Sequence, residues 1–580
     1  MTTNSQLMTP VNQSKPKRLA ITIAGAVSLG SYEAGVLYEV LEAIRQHNAD
    51  ERTKANPENR IIVDVLTGAS AGGMTSIILA QKLLYEGPTF KGPCDNPLYN
   101  IWIAGIDIEA LQATKAHEPA LISLFSSDLI ERISNETLLG RYSSGFPPSP
   151  PAIPHPSVDE GKPLRVGVAL SNLNGVDYGY QVQPQGVFEY RAYADQMTRE
   201  INPLDATCDT RLFWTPLHEA AVACGAFPFA FRPKEVDRNA GSEPNDYPSE
   251  TLTRWPTDTR RFTYTDGGVL QNQPLGLAKK LVDLQDEHFA QECRYYLFVS
   301  PYAKDDGPPN DFKTKDAHYI RMMARLATVV IGQAGFRDWI TAEDINDRIR
   351  LMDERADGLV RGILEGTVAV EPLQATARSI LDLLFPPGVA LLSPGANVPE
   401  MREVAQERIA DQYHSEMEYL KDLPGAGDAF RDSMLAFEAA AGLGARDKMR
   451  IYGITATTSE LAGAGLQAFL GFFDRTFREH DYDVGRKKAR EVLLSSALNG
   501  KGELGPIYFD PSLNPLRPIN DELSGIAYKQ VSPQIRRCFK KALQRRVGQM
   551  VMEWGRGNIL FLPIKWIIVL GVGCFLDWVN

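Results

Sequence analysis

The stretch Arg60–Ala80, RIIVDVLTGASAGGMTSIILA, decides the reading of the fold. It opens with an apolar, β-branched run (Ile61, Ile62, Val63, Val65, Leu66), narrows to a small-residue turn (Gly68-Ala69-Ser70-Ala71-Gly72), and resumes with an apolar run of helical length from Met74. This pattern predicts a buried strand, a sharp turn and a helix. The turn has the form G-x-S-x-G, in which a serine at the apex of a strained elbow holds its hydroxyl clear of the backbone. Amide groups at the new helix start stabilise negative charge on a bound substrate oxygen. Ser70 is therefore a candidate nucleophile, with Gly68 and Gly72 supporting the turn. By composition alone the motif would turn up in roughly one chain of this length in five. Its weight comes from its place between strand and helix, and the competing use of such small residues is close packing.

The 580-residue chain is long enough for one large or two to four ordinary domains, and 44% hydrophobic with 23% charged residues excludes wholesale disorder. A net charge of −11 argues against general nucleic-acid binding, which gains affinity from a basic surplus. The six cysteines (Cys94, Cys208, Cys224, Cys293, Cys538, Cys574) form no C-x-x-C pair, so reduced thiols in a cytoplasmic setting are expected. Residues 1–17 are polar and contain no apolar core of a secretory signal.

Upstream of the elbow, Met1–Lys17 reads as a loose tail and Arg18–Ala24 as a buried strand. Gly25-Ala26-Val27-Ser28-Leu29-Gly30-Ser31 then forms a small-residue turn ahead of a helix. As a phosphate loop this turn lacks the lysine, and as a dinucleotide turn it fails G-x-G-x-x-G at the second glycine. As an oxyanion cradle it needs only backbone N–H groups, which places Gly25, Ala26 and Val27 in that role, against plain tight packing.

Downstream, Pro88–Gln112 reads as loop and short elements, Glu118–Arg141 as mostly helix, and the proline-rich Phe146–Pro156 as an extended surface loop. A strand is expected at Leu164–Leu170, a β return at Tyr178–Val187, a helix from Leu217 to Gly225, and a polar surface excursion over Asp237–Asp258. In Arg261–Pro274, RFTYTDGGVLQNQP, a short strand (Phe262–Thr265) delivers Asp266 into a turn at Gly267 and Gly268. A carboxylate there can approach another loop at hydrogen-bond distance, although Asp-Gly is more often a plain surface turn.

Together these stretches resemble the patatin-like phospholipase family, over roughly Arg18–Pro301. The resemblance rests on GVL at Gly35–Leu37, GASAG at Gly68–Gly72, AVACGAFP at Ala221–Pro228 and DGGVLQNQP at Asp266–Pro274, in that order. RTFREHDYDVGRKKA (Arg475–Ala489) is similar to the closing helical segment of some bacterial members. The departure is the first turn, where the family usually shows three glycines followed by a basic residue and this chain has Gly25-Ala26-Val27-Ser28-Leu29. The resemblance implies a three-layer α/β/α domain and a lipid acyl hydrolase of phospholipase A or lysophospholipase type. It also implies a catalytic dyad of Ser70 and Asp266 without histidine, acting through an acyl-serine intermediate. Such a base must be a carboxylate whose pKa burial has raised. A Ser-His-Asp triad drawing on His288, His318, His414 or His480 is the competing arrangement. Nothing in the sequence requires a metal or other cofactor.

In the second half, Arg294–Ser300 and Met449–Ala456 read as strands around a largely helical insertion. Its Pro-Gly stretch Phe385–Pro399 is a candidate lid or an interhelical loop. The expected division is a tail (1–17), a catalytic core (18–302), the insertion (303–447), closing strand and helices (448–500) and a C-terminal membrane-associating region (501–580). That last region carries seven Arg or Lys and one acid between Arg536 and Arg556, followed by the mostly apolar Ile559–Leu576. Such a cluster attracts anionic head groups by about 1 kcal/mol per charge, so membrane-surface association at a cytoplasmic face is expected, spanning or interfacial. A helix packed on the catalytic domain or on a partner chain is the alternative. The expected partners are a phospholipid or lysolipid substrate and a membrane surface, with no nucleic acid. A catalytically silent scaffold and a soluble small-ester esterase are the other functional readings.

Overall fold

The computed structural model describes residues 16–112, 123–143, 151–181, 187–228, 230–238, 260–286, 294–302, 350–384, 398–440, 449–500 and 503–555, with positions 322, 329, 347 and 348 standing alone. Most of the expected N-terminal tail, the surface excursion from residue 239 to 258, most of the candidate lid and the apolar stretch 559–576 lie outside the described residues.

Eight strands among these residues form one mixed sheet flanked by helices. They are β1 (Lys17–Ile23), β2 (Ile61–Gly68), β3 (Leu164–Gln181), β4 (Val187–Ile201), β5 (Lys234–Arg238), β6 (Arg260–Asp266), β7 (Arg294–Ser300) and β8 (Ile451–Thr455). The order is β5-β6-β3-β2-β1-β7-β8, with β4 also paired to β3. Strands β3, β2, β1, β7 and β8 run parallel, which accounts for their apolar runs, since parallel strands are covered on both faces. All eight residues of β2 are buried.

The sheet departs from the sequence reading on its antiparallel side. β3 does not end near Leu170 but runs on to Gln181 past an irregularity between Ser171 and Val176, and β4 returns along it as far as Ile201. Asp237 and Arg238 belong to β5 rather than to a surface excursion. Arg238 is fully buried there, donating to the Gln196 carbonyl (2.7 Å) and the Tyr264 hydroxyl (3.2 Å).

The first helix (Gly30–Ala49) crosses the closing helix (Arg475–Leu493) through reciprocal notches. A Cβ at Gly35 would fall 2.0 Å from the Tyr482 carbonyl oxygen, and one at Gly485 would fall 2.2 Å from that of Tyr32. Beside the crossing the buried Glu39 carboxylate is held by Arg486 (2.8 Å) and Arg490. Asp64 of β2 takes Arg18 of β1 (3.1 Å) and Arg294 of β7 (2.6 Å).

Residues 503–530 also pack on this body. The Lys17 ammonium donates to the carbonyls of Leu504 (2.7 Å) and Gly505 (2.8 Å), and Arg486 reaches the Asn514 carbonyl (2.8 Å). The basic segment is then a helix, Pro533–Trp554, docked through Phe539 on Phe473 (ring centroids 4.7 Å apart) and through buried Arg546 on the Ser123 carbonyl (3.1 Å). Docking uses part of its length, and Arg537, Lys541 and Arg545 stay exposed on one line at four-residue spacing. Among the described residues no helix is long and apolar enough to cross a membrane.

Residues 339–450 form a compact unit of their own. It is helical in its described parts (Val370–Leu384, Val398–Gln412, His414–Leu420, Ala426–Ala440) and closes around Ala356, Leu381, Ile409, Leu420, Phe430 and Met434.

Candidate active site

Strand register brings two distant turns together. Gly68, the last residue of β2, pairs with Val168 of β3, whereas Asp266, the last residue of β6, pairs with Leu170. β4 occupies the other edge of β3 from Leu164 to Ser171, so β2 and β6 must share the remaining edge, one beyond the other. β2 therefore delivers Ser70 from below and β6 delivers Asp266 from above. The stretch after the Arg211–Cys224 helix fixes the upper end, for the Ala226 carbonyl accepts the Asp266 N–H (3.0 Å) and the Thr265 hydroxyl (2.7 Å).

Helix Ser70–Tyr85 starts at the residue after the Ala69 cap, and Ser70 itself has φ +50°. A non-glycine residue held in the left-handed region stores about 1–3 kcal/mol, and such strain concentrates at functional sites. The elbow is tight enough that a Cβ on Gly72 would meet the Ile23 and Ala24 carbonyl oxygens of the β1 end, both at 2.4 Å. Gly68 faces the Gly72 carbonyl in the same way, and Gly267 faces that of Ala169.

The Ser70 hydroxyl donates directly to Asp266 Oδ2 at 2.6 Å, and the Gly268 N–H donates to Oδ1 at 2.7 Å. Both side chains are buried, at 6% and 1% exposure, so the carboxylate has little water to solvate it. Burial pushes the Asp266 pKa up to about 7, with the Ser70 and Gly268 hydrogen bonds pulling the other way. The group is thereby placed where it can take and return a proton near neutrality. Beneath both turns lies Cys224, fully buried, its thiol pKa raised by burial and then by the Asp266 charge, which makes it a packing residue rather than a nucleophile. No histidine stands between serine and carboxylate. His480 bonds to the Glu460 carbonyl (3.0 Å), His414 lies in the unit 339–450, and His288 and His318 lie outside the described residues.

The first turn needs one correction. The Gly25 N–H is donated to the Asn272 carbonyl at 3.0 Å, so it is not free for a substrate oxygen, whereas the Ala26 and Val27 amides have no acceptor among the described residues. Val27 sits at φ +51°, a conformation that a β-branched residue adopts only under strain. The turn is held from behind by a distant segment. Ser28 Oγ donates to the Ala468 carbonyl and accepts the Gly471 N–H (3.1 Å), while Leu29 is completely buried. The buried Asp481 carboxyl, its pKa raised by burial to about 7, fastens that segment through the N–H groups of Ala462 (2.7 Å) and Gly463 (2.9 Å). Burial of Leu29 is the physical counterpart of the absent basic residue.

Asn272, Ser28 and the 461–472 segment escaped the sequence reading. Their signal was the small-residue run LAGAG with an aspartate in the closing helix, which reads as packing until its partners are known. Among the described residues no group of His, Cys, Asp and Glu side chains is arranged to hold a metal ion.

An α/β sheet with a serine on a strained strand-to-helix elbow, bonded to a carboxylate on a second turn, has the form of a hydrolase site. Residues 21–279 match the patatin-like phospholipase family, which bears out the resemblance drawn from the motifs. The family is in general one of esterases and phospholipases. The chain is also 23% identical over 371 residues to an uncharacterized protein, y4iI, of Sinorhizobium fredii (strain NBRC 101917 / NGR234), an alignment covering 51% of this chain and 50% of the relative. The chain thus spans about half the length of the curated relative it matches.

Two outcomes follow from this geometry. Unfolded aspartate ionises near 3.8 and buried Asp266 near 7, so between these values the native state binds the extra proton and stability falls as pH rises. Asp266→Asn removes this loss and should raise the melting temperature at pH 8 more than at pH 4, measured by differential scanning fluorimetry. Replacing Val27 by glycine relieves a left-handed residue worth about 1–2 kcal/mol, so Val27→Gly should melt no lower than wild type although it loses a partly buried side chain.

Proposed function

We propose that the chain is a lipid acyl hydrolase in which Ser70 and Asp266 act as a catalytic dyad. The observation that carries the proposal is the direct 2.6 Å hydrogen bond between a strained serine and a buried carboxylate. Asp266 takes the Ser70 proton as Oγ attacks the ester carbonyl carbon, and the tetrahedral oxyanion faces the N–H groups of Ala26 and Val27. Collapse breaks the ester C–O bond, and the leaving alkoxide takes the proton back from Asp266. A water then gives its proton to Asp266 and attacks the acyl-serine carbonyl, and collapse breaks the acyl C–Oγ bond as Asp266 passes that proton to Ser70 Oγ, which releases the carboxylic acid and restores the dyad.

The family match supports a phospholipid or lysolipid as the substrate class in this proposal, met at a membrane surface. The exposed Arg537, Lys541 and Arg545 of the C-terminal helix provide the contact, each contributing about 1 kcal/mol against anionic head groups. A second reading, a lipid- or protein-binding scaffold without turnover, is favoured by one observation. The first turn offers two amides instead of three, one of them on strained Val27.

A fluorophosphonate distinguishes the readings, because only an activated serine forms the adduct. Wild type should gain one adduct by intact mass, Ser70→Ala none, and Asp266→Asn should label far more slowly. The labelling rate should rise with pH through about 7 and level off above, as Asp266 ionises. A folded wild type that never labels would establish the scaffold instead. The membrane contact is tested separately. The triple variant Arg537→Glu, Lys541→Glu, Arg545→Glu should lose co-sedimentation with phosphatidylglycerol vesicles while keeping its rate on a soluble p-nitrophenyl ester, and retained binding would remove the helix from the membrane contact.

A further inference from the structure

Close packing on the open side of the site surrounds a residue that the mechanism leaves unused. A Cβ built on Gly25 would fall 2.0 Å from Asn272 Oδ1 and 3.0 Å from the Ser70 Cβ, and one built on Gly268 would fall 2.6 Å from the same Oδ1 and 3.5 Å from the same Ser70 Cβ. The Asn272 amide therefore fills the hollow between the first turn and the Asp266 turn, against the nucleophile. Glycine at 25 and 268 is what leaves room for it. Asn272 is only partly buried, so this hollow lies on the open side of the site.

Asn272 also grips the first turn from two directions. Its backbone carbonyl accepts the Gly25 N–H at 3.0 Å, and its Nδ2 donates to the Gly25 carbonyl oxygen at 3.4 Å. The backbone bond survives any substitution, and the side-chain bond does not. The next two residues after Gly25 carry the free amides at Ala26 and Val27, so whatever fixes the Gly25 peptide sets where those amides point. Asn272 itself is set by the Asp266 turn, since the Gln271 N–H donates to the Gly267 carbonyl (3.0 Å) just before it. One short segment thus connects the carboxylate turn to the oxyanion side of the nucleophile.

We propose that Asn272 is a positioning residue of the site, whose side-chain amide locks the Gly25 peptide against Ser70 and so aims the Ala26 and Val27 N–H groups at the developing oxyanion. The inference rests on Ser70 being the nucleophile. The amide orientation fits this role, because the opposite flip would set two oxygens against each other at Gly25. Val27 gives the lock its purpose. A turn strained at a β-branched residue relaxes unless its neighbours over-determine it, and Asn272 supplies that constraint from outside.

Asn272→Ala removes the lock and its volume, and Asn272→Asp keeps the volume but replaces the Nδ2 donor with oxygen. Fluorophosphonate labelling of Ser70 and p-nitrophenyl ester hydrolysis should both slow by roughly tenfold to a hundredfold in each variant, the scale of a misaligned reacting group. The loss should fall on kcat with KM little changed, as for an interaction made only in the transition state. A merely structural role would instead lower the melting temperature and reduce activity only by the unfolded fraction. Wild-type labelling and turnover in a folded Asn272→Asp would overturn the inference, even where Asn272→Ala does not fold. A wild type that fails to label overturns the nucleophile reading itself, visible without any variant, and this inference with it.

Discussion

Everything at the site depends on β6 entering the sheet against its prevailing direction. Five strands run parallel, and parallel strands point their carboxyl ends one way, which collects turns at a single edge but leaves them side by side. By adding antiparallel to β3 just past the end of β2, β6 brings a carboxylate back toward those turns instead of away from them. Serine and aspartate, 196 positions apart in the chain, thereby meet head-on without an intervening histidine. The short approach and the burial are one event, and burial is what lifts Asp266 toward neutrality.

The surroundings of the pair are correspondingly rigid. Carbonyl oxygens of Ile23, Ala24, Ala169 and Gly72 crowd Gly68, Gly72 and Gly267, and the Asn272 amide fills the space beside Gly25 and Gly268. Strain at Ser70 and Val27 persists because the sheet on one side and the 461–472 segment on the other leave no room to relax.

Much of this was legible in the sequence because its signals are local. The β-branched run from Ile61, the small-residue elbow, and a short strand ending in Asp266-Gly267-Gly268 each fold by rules acting within a dozen residues. What sequence periodicity does not carry is which elements share an edge. The length of β3 escaped because Asn172-Leu173-Asn174-Gly175 reads as a chain break, whereas the structure passes it as an irregularity with Gly175 at φ +75°. The Gly25 amide escaped because its partner is a carbonyl, and every residue has one. Ser28 reads from sequence only as a small residue of the first turn, yet its hydroxyl is turned to a segment 440 positions away, a pairing no local rule announces.

The notched crossing of the first and closing helices bears on where this protein can be divided. The family match ends at residue 279 and the sheet's own strand β7 at Ser300, which marks an inviting place to cut. Glu39, however, lies fully buried on the first helix and finds two cations, Arg486 and Arg490, on a helix encoded 447 to 451 positions later. A fragment ending near residue 302 would lack the helix that both covers and neutralises that carboxylate, and would leave β7 without its neighbour β8. The sheet and its first helix are thus completed only when the Arg475–Leu493 helix has been synthesised, since the cations that neutralise Glu39 arrive with it.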